Sequence, residues 1–460
     1  MLVSLFDRKR AGNISETLRI AWPLMLAQVA NALYDICDGY FLAKSSSAAM
    51  IASLPARMVV GTLSAFFICS IGYMSTFVAQ FHGGGRERDA VASFAQGLWM
   101  SLFAAPVFLL LIPASWFVVD VANHAHAISE AEKAYLLVCA PGGVFTLLNV
   151  VLGGFITGQG RTRFVSACSI VGCLVNLAAD SVLVLGKGPV PAMGITGAAI
   201  ATVLGYAVTT AMLAWAVLRD PLFRRHACRE AFAPDWRRMR EIFRFGAPTG
   251  VTAFAASFAF MVFSLVLTGL DSMSANAANT LFRVNNVFYM ALCATSDGTL
   301  ILTGRHHGAN DDDAATRSYY SGLWVVFFAL SICFAAMLAF PEPIVDAFRG
   351  ADADYEPAVY HGFAYTLICI MFFRELAEGA MCLTVGALRG VGDTKFVMWT
   401  QTACDLFLWM PFVLLVGKYR PSRMALWISM PVNMTLVALI LHMRWRSGKW
   451  RALRLSSCQK

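Results

Sequence analysis

Long apolar runs separated by short polar turns make up nearly all of the chain. Twelve of these runs reach the roughly 20 residues that a helix needs to cross a bilayer. They cover 15–43, 50–80, 91–119, 133–156, 163–185, 195–218, 239–269, 276–304, 318–339, 356–387, 395–416 and 424–443. Each is too long and too continuous for a barrel strand. Backbone groups in lipid must be satisfied within their own segment, so each run is read as a helix. The pattern predicts an all-α polytopic membrane protein with twelve transmembrane helices.

The pattern also repeats. Gly158-Gln159-Gly160-Arg161-Thr162-Arg163-Phe164-Val165 returns as Gly390-Val391-Gly392-Asp393-Thr394-Lys395-Phe396-Val397, an offset of 232 residues. Pro23 answers Pro248, and Phe81-His82-Gly83-Gly84 answers His306-His307-Gly308-Ala309, both at an offset of 225. Each copy holds an even number of spans, so both enter the membrane the same way round. The repeat is parallel, related by an axis along the membrane normal, and in transporter folds the ligand site lies between such copies. The expected architecture is two pseudo-symmetric six-helix bundles around a central cavity. The boundaries read as 1–218 for the first lobe, 219–240 for a basic linker, 241–445 for the second lobe and 446–460 for a basic tail.

Composition agrees with a membrane protein: 58% of residues are hydrophobic and 14% charged, with mean hydropathy +0.63. The 36 Lys and Arg residues gather on the side that holds both termini, which places both termini in the cytoplasm of a multi-pass plasma-membrane protein, the inner membrane in a bacterium. The densest basic cluster, 219–244, falls on the seam between the repeats. It reads as a topology anchor beside anionic lipid, and no nucleic-acid partner is assigned. Residues 1–6 are too short an apolar region for a cleavable signal, so the first span serves as its own insertion signal. The twelve cysteines show no metal spacing and read as small buried apolar residues.

Charges inside the apolar runs carry the functional argument, because each costs several kcal/mol, roughly, unless it faces a cavity or a partner. In the first half these are Asp35, Asp38 and Asp180. Asn176 and Asp180 share a face of span five, one turn apart. Asp38 near the outer end of span one, and Thr202 two turns into span six, return to a similar depth. Two carboxylates, an amide and a hydroxyl at one level suit Na⁺ or a shared proton, and one such constellation serves either. The alternative is that Asn176 and Asp180 knit helices by hydrogen bonds alone. Asp35 lines the same cavity or reaches outer water.

In the second half the embedded charges are Asp297, Arg374, Glu375, Glu378 and Asp405, which line a substrate cavity or neutralise one another in an ion-pair network. His124, His126, His306 and His307 read as solvated loop histidines. The run Asp311-Asp312-Asp313 reads as a solvated turn that caps span nine. No nucleophile, base and orienting group gather anywhere, so the chain is read as no enzyme, with no catalytic residue.

Taken in order, these segments resemble the multidrug and toxic compound extrusion (MATE) family over essentially the whole chain. The resemblance rests on Ala21-Trp22-Pro23, Leu33-Tyr34-Asp35-Ile36-Cys37-Asp38, Gly158-Gln159-Gly160-Arg161-Thr162 and Asn176-Leu177-Ala178-Ala179-Asp180. It continues through 194–202, Gly386-Ala387-Leu388-Arg389-Gly390 and Asp393-Thr394. It implies two six-helix lobes forming a V-shaped cavity, and efflux of amphipathic, cationic drugs by alternating access. The coupling ion is Na⁺ or H⁺, with no cofactor and a monomeric chain in the lipid bilayer. Asp38, Asn176, Asp180 and Thr202 match the cation site of the DinF-like and archaeal branch, with Na⁺ possible at Asp38, Asn176 and Asp180. Pro23 matches the proline at which span one bends, and Glu378 the acid that NorM-like members use in their other lobe. Those members carry a further glutamate in span seven, where this chain has Ala256 and no acid between Pro248 and Asp271. The rival within the superfamily is a lipid-linked oligosaccharide flippase, for whose phosphates only Arg57, Arg283 and Arg374 lie in the membrane.

Overall fold

A computed structural model of the chain describes residues 7, 10–45, 61, 64–122, 126–186, 191–268, 272–339, 357–419 and 422–453. The side chains of Asp35 and Arg283 lie outside the described residues, as do Arg57 and His124 altogether. Among the described residues, twelve long helices appear where the apolar runs predict them. The first half holds α1 (Ile14–Ser45), α2 (Ser64–Gly83), α3 (Glu87–Ala122), α4 (His126–Gly158), α5 (Thr162–Leu183) and α6 (Gly194–Arg219). The second holds α7 (Trp236–Thr268), α8 (Ser272–Gly308), α9 (Asp312–Ala339), α10 (Pro357–Gly390), α11 (Thr394–Tyr419) and α12 (Arg423–Arg446). Over their described residues, eight of these are long and apolar enough to cross a membrane. Two short helices, Pro221–His226 and Arg229–Phe232, occupy the basic linker.

The helix ends show why the sequence repeats. After α4, Gly160 takes φ +83°, its N–H donates to Thr157 O, and Arg161 N–H donates back to Ile156 O. After α10, Gly392 takes φ +98° and the same two bonds form, Gly392 to Arg389 and Asp393 to Leu388. This is a Schellman ending, and its left-handed residue is why glycine stands at both places. The α2 turn at Gly85 (φ +71°) and the α8 turn at Asn310 (φ +61°) close alike, with Arg86 N–H to Phe81 O and Asp311 N–H to His306 O.

Contacts divide the chain into two units. One holds Pro23–Ala253 with Gly308–Asn310; the other holds the residues before Pro23, Phe254–His307 and the described residues from Asp311 onward. In the first unit α4 and α5 both lie along α6, and α3 along α4. Its core is rich in phenylalanine, with Phe77, Phe94, Phe108 and Phe155 essentially buried. The opening turns of α7 belong to this unit, pressed so tightly on α2 that a Cβ at Gly246 would lie 2.0 Å from Ser70 O. In the second unit α10 lies along α12 and α9, around a core that includes Phe263, Trp409 and Trp427. The opening residues of α1 belong here, with Gly298 of α8 against Ala21.

The expectation of solvated loop histidines fails at His306 and His307. Both lie in the last turn of α8. His307 is fully buried, with Nδ1 2.7 Å from Asp312 Oδ1 and Nε2 2.7 Å from Leu453 O. His306 Nε2 sits 3.6 Å from Glu16 Oε2. The reason is helix length: α8 runs four residues past its apolar stretch and carries both rings onto neighbouring chain. Of the three aspartates that follow, Asp311 does cap α9, accepting from Ala314 N–H at 2.8 Å. Asp312 instead serves His307.

Candidate functional site

Asp38, on α1, is 1% exposed despite its charge. Its Oδ1 accepts from Asn176 Nδ2 of α5 at 3.4 Å, and its Oδ2 from Thr202 Oγ1 of α6 at 3.2 Å. The Thr202 hydroxyl also lies 3.0 Å from Ala198 O, so its single proton is shared between the two acceptors. Three helices thus bring a carboxylate, an amide and a hydroxyl to one point. Asp180 lies one turn beyond Asn176 and is fully buried. The carbonyl oxygen Asn176 Oδ1 is buried with no hydrogen-bond partner among the described residues. An orphaned oxygen beside a carboxylate suits a bound cation or an acid proton, since a buried acceptor left unmade costs about 1–3 kcal/mol.

Pro23 lies inside α1, where its ring removes one N–H from the helix ladder. Its own carbonyl accepts from Ser166 Oγ of α5 at 2.5 Å. The residue at the expected bend is therefore tied to the helix that carries Asn176 and Asp180. Sequence reasoning missed Ser166, whose only signal is a hydroxyl inside an apolar run. The backbone of Asp35 lies in α1, but its side chain is outside the described residues.

The second-half charges separate into three places. Arg374 Nη1 donates to Glu375 Oε1, and Nη2 lies 2.7 Å from Glu378 Oε2, all on α10 and all buried. Asp297 lies on α8, eleven residues before its end. Asp405, on α11, accepts from Asn433 Nδ2 of α12 at 2.8 Å. Asp405 and its neighbours form a π-helical stretch, Cys404–Trp409, that no sequence pattern announced. Ala256, in the place expected of a span-seven glutamate, supplies no ligand.

The sequence pattern of the MatE family matches the chain twice, over residues 23–182 and 248–415. The two matches begin at Pro23 and Pro248, the pair that the repeat equates. The probable multidrug resistance protein NorM of Thermotoga maritima is 23% identical over 441 residues, 95% of this chain and 92% of its own length. The protein of the same name in Deinococcus radiodurans is 28% identical over 437 residues, 92% of this chain and 93% of its own. An outward-facing multidrug resistance MATE transporter of the MOP superfamily has the same fold, with a TM-score of 0.83 at 18% identity over 98% of each chain. A twofold repeat of long helices, with a buried acid held by polar side chains from two neighbouring helices, agrees with that kinship. The chain belongs to the MatE family of membrane transporters.

Proposed function

We propose that the chain is a secondary active multidrug efflux transporter that exchanges amphipathic, cationic drugs for Na⁺ or H⁺ by alternating access. The observation that carries this reading is the polar set around Asp38. A buried carboxylate gathers Asn176 and Thr202 from two other helices, with an amide oxygen beside it that has no partner among the described residues. Arrival of a cation or proton neutralises Asp38 and weakens its pull on both donors. Asn176 and Ser166 ride on the same helix, ten residues or about 15 Å apart at 1.5 Å per residue. A change at Asp38 therefore has a physical route to Pro23, through α5 to the Ser166 hydrogen bond. Relatives named for multidrug resistance support the choice of cargo. The same residues favour the DinF-like cation pattern, with coupling in the first repeat and substrate contact shared with the second. The lobes remain 1–218 and 241–445 in this reading, in a plasma membrane with both termini cytoplasmic.

The flippase alternative wants free cationic side chains for phosphate. Arg374 is committed to Glu375 and Glu378 on its own helix, which speaks against it. The test is drug susceptibility of a sensitised host expressing Asp38→Asn. Resistance should be lost while the protein still reaches the membrane; preserved resistance would sink the assignment.

A further inference from the structure

Among the described residues, Cys404–Trp409 is the only π-helical stretch. A π-turn inside an α-helix distorts the backbone hydrogen-bond ladder and often marks a functional site. Here it carries Asp405, eleven residues into α11 and thus about 16 Å along it, near the middle of a bilayer core of roughly 30 Å. Two hydrogen bonds tie the turn to α12. Asn433 Nδ2 donates to Asp405 Oδ1 at 2.8 Å, and Trp409 Nε1 donates to Ser429 Oγ at 2.9 Å.

The charge on Asp405 has no cation to meet it among the described residues. On α10, Arg374 is taken by Glu375 and Glu378. On α12, His442 bonds Tyr319 and Arg444 bonds Asp393. On α11 itself the neighbouring group is the Cys404 thiol, which feels the Asp405 charge. The residues that follow, Phe407 and Leu408, are exposed apolar side chains at 73% and 56%. One turn before Asp405, Gln401 is 7% exposed and its Oε1 is buried without a partner among the described residues. A carboxylic acid at 405 would carry an O–H on the same helix face as that empty acceptor. One carboxylate and one amide also offer too few oxygens for a hard cation such as Na⁺, which favours a proton.

The repeat makes this site private to the second half. At the 232-residue offset, Asp405 and Asn433 correspond to Cys173 and Ala201. The polar residues Asn176, Asp180 and Thr202 correspond to Leu408, Phe412 and Met434. The same pair of helices carries an acid in each copy, Asp180 in the first and Asp405 in the second, but at a different level.

We propose that Asp405, held by Asn433 on the α11 π-turn, is a second proton-binding site. On binding, an O–H bond forms at the carboxylate; on release, the proton leaves and the charge returns, with Asn433 as hydrogen-bond donor throughout. The inference is independent of which ion Asp38 binds.

The experiment is pH-difference infrared spectroscopy on the purified full chain in lipid nanodiscs. The wild type should show a reversible carboxylate-to-carboxylic-acid conversion that disappears in Asp405→Asn and persists in Asp38→Asn. In Asn433→Ala the same conversion should remain with a shifted frequency and midpoint. Identical spectra for wild type and Asp405→Asn would overturn the proposal. Should Asp405→Asn fail to fold, an unchanged midpoint in Asn433→Ala overturns it equally. Loss of the acid signal on adding Na⁺ at fixed pH would overturn the choice of ligand.

Discussion

At the level of single residues, the chain concentrates its polar expense on Asp38. Each hydrogen bond to that charge is worth about 1.5–3 kcal/mol. Thr202→Val removes one donor while keeping shape, so the coupling cation should bind differently by about tenfold with maximal export retained. Half-saturation of drug export by Na⁺ or H⁺ measures this; an unchanged value would mean that the hydroxyl serves only the Ala198 carbonyl. Asp38, Asn176 and Thr202 were legible in the sequence because polar groups inside apolar runs need a reason. Ser166 was not. A serine in a helix bonds its own preceding turn by default, as Ser166 does with Thr162 O at 3.1 Å, and nothing local says that it also reaches Pro23.

At the level of elements, the two copies keep one design with the charges exchanged. Arg161, after α4, pairs with the buried Asp220 at the end of α6. The equivalent position 393 is an aspartate, and it accepts from Arg444 Nε at 2.7 Å near the end of α12. Each pair staples a Schellman turn to the last helix of its repeat. Arg161→Asp should lower the melting temperature of the purified protein, and Asp220→Arg in the same chain should recover part of the loss. No recovery would mean that Asp220 matters only as the cap that accepts from Leu222 and Phe223 N–H. Gly392→Ala forces a left-handed φ on an L-residue and should cost about 1–2 kcal/mol, read as a lower melting temperature. The glycine turns were visible in sequence because only glycine fits them comfortably. The π-turn of α11 was not, because a six-residue change of winding leaves the apolar run intact. The His307–Asp312 pair escaped because hydropathy marks where a helix becomes polar, whereas hydrogen bonding decides where it stops.

At the level of the whole molecule, the repeat explains the fold and its failures point to function. The first copy gathers its acids on α1 and α5 with Thr202 of α6; the second places a charge cluster on α10. Removing only Arg374, as Arg374→Met, leaves Glu375 and Glu378 buried without their cation. That should cost about 3–5 kcal/mol and show as loss of folded protein in the membrane. Adding Glu375→Gln and Glu378→Gln should restore folding, since a buried network is often no better than neutral packing. Persistent misfolding of the triple variant would show that the cluster sets helix register. The central claim is that ion binding at Asp38 drives export. Drug accumulation in everted vesicles, with Na⁺ and proton gradients collapsed separately, tests it most directly. Wild-type accumulation should collapse with one of the two gradients, and Asp38→Asn should show no gradient-dependent accumulation while still binding drug. Gradient-driven flux that survives in Asp38→Asn would contradict it.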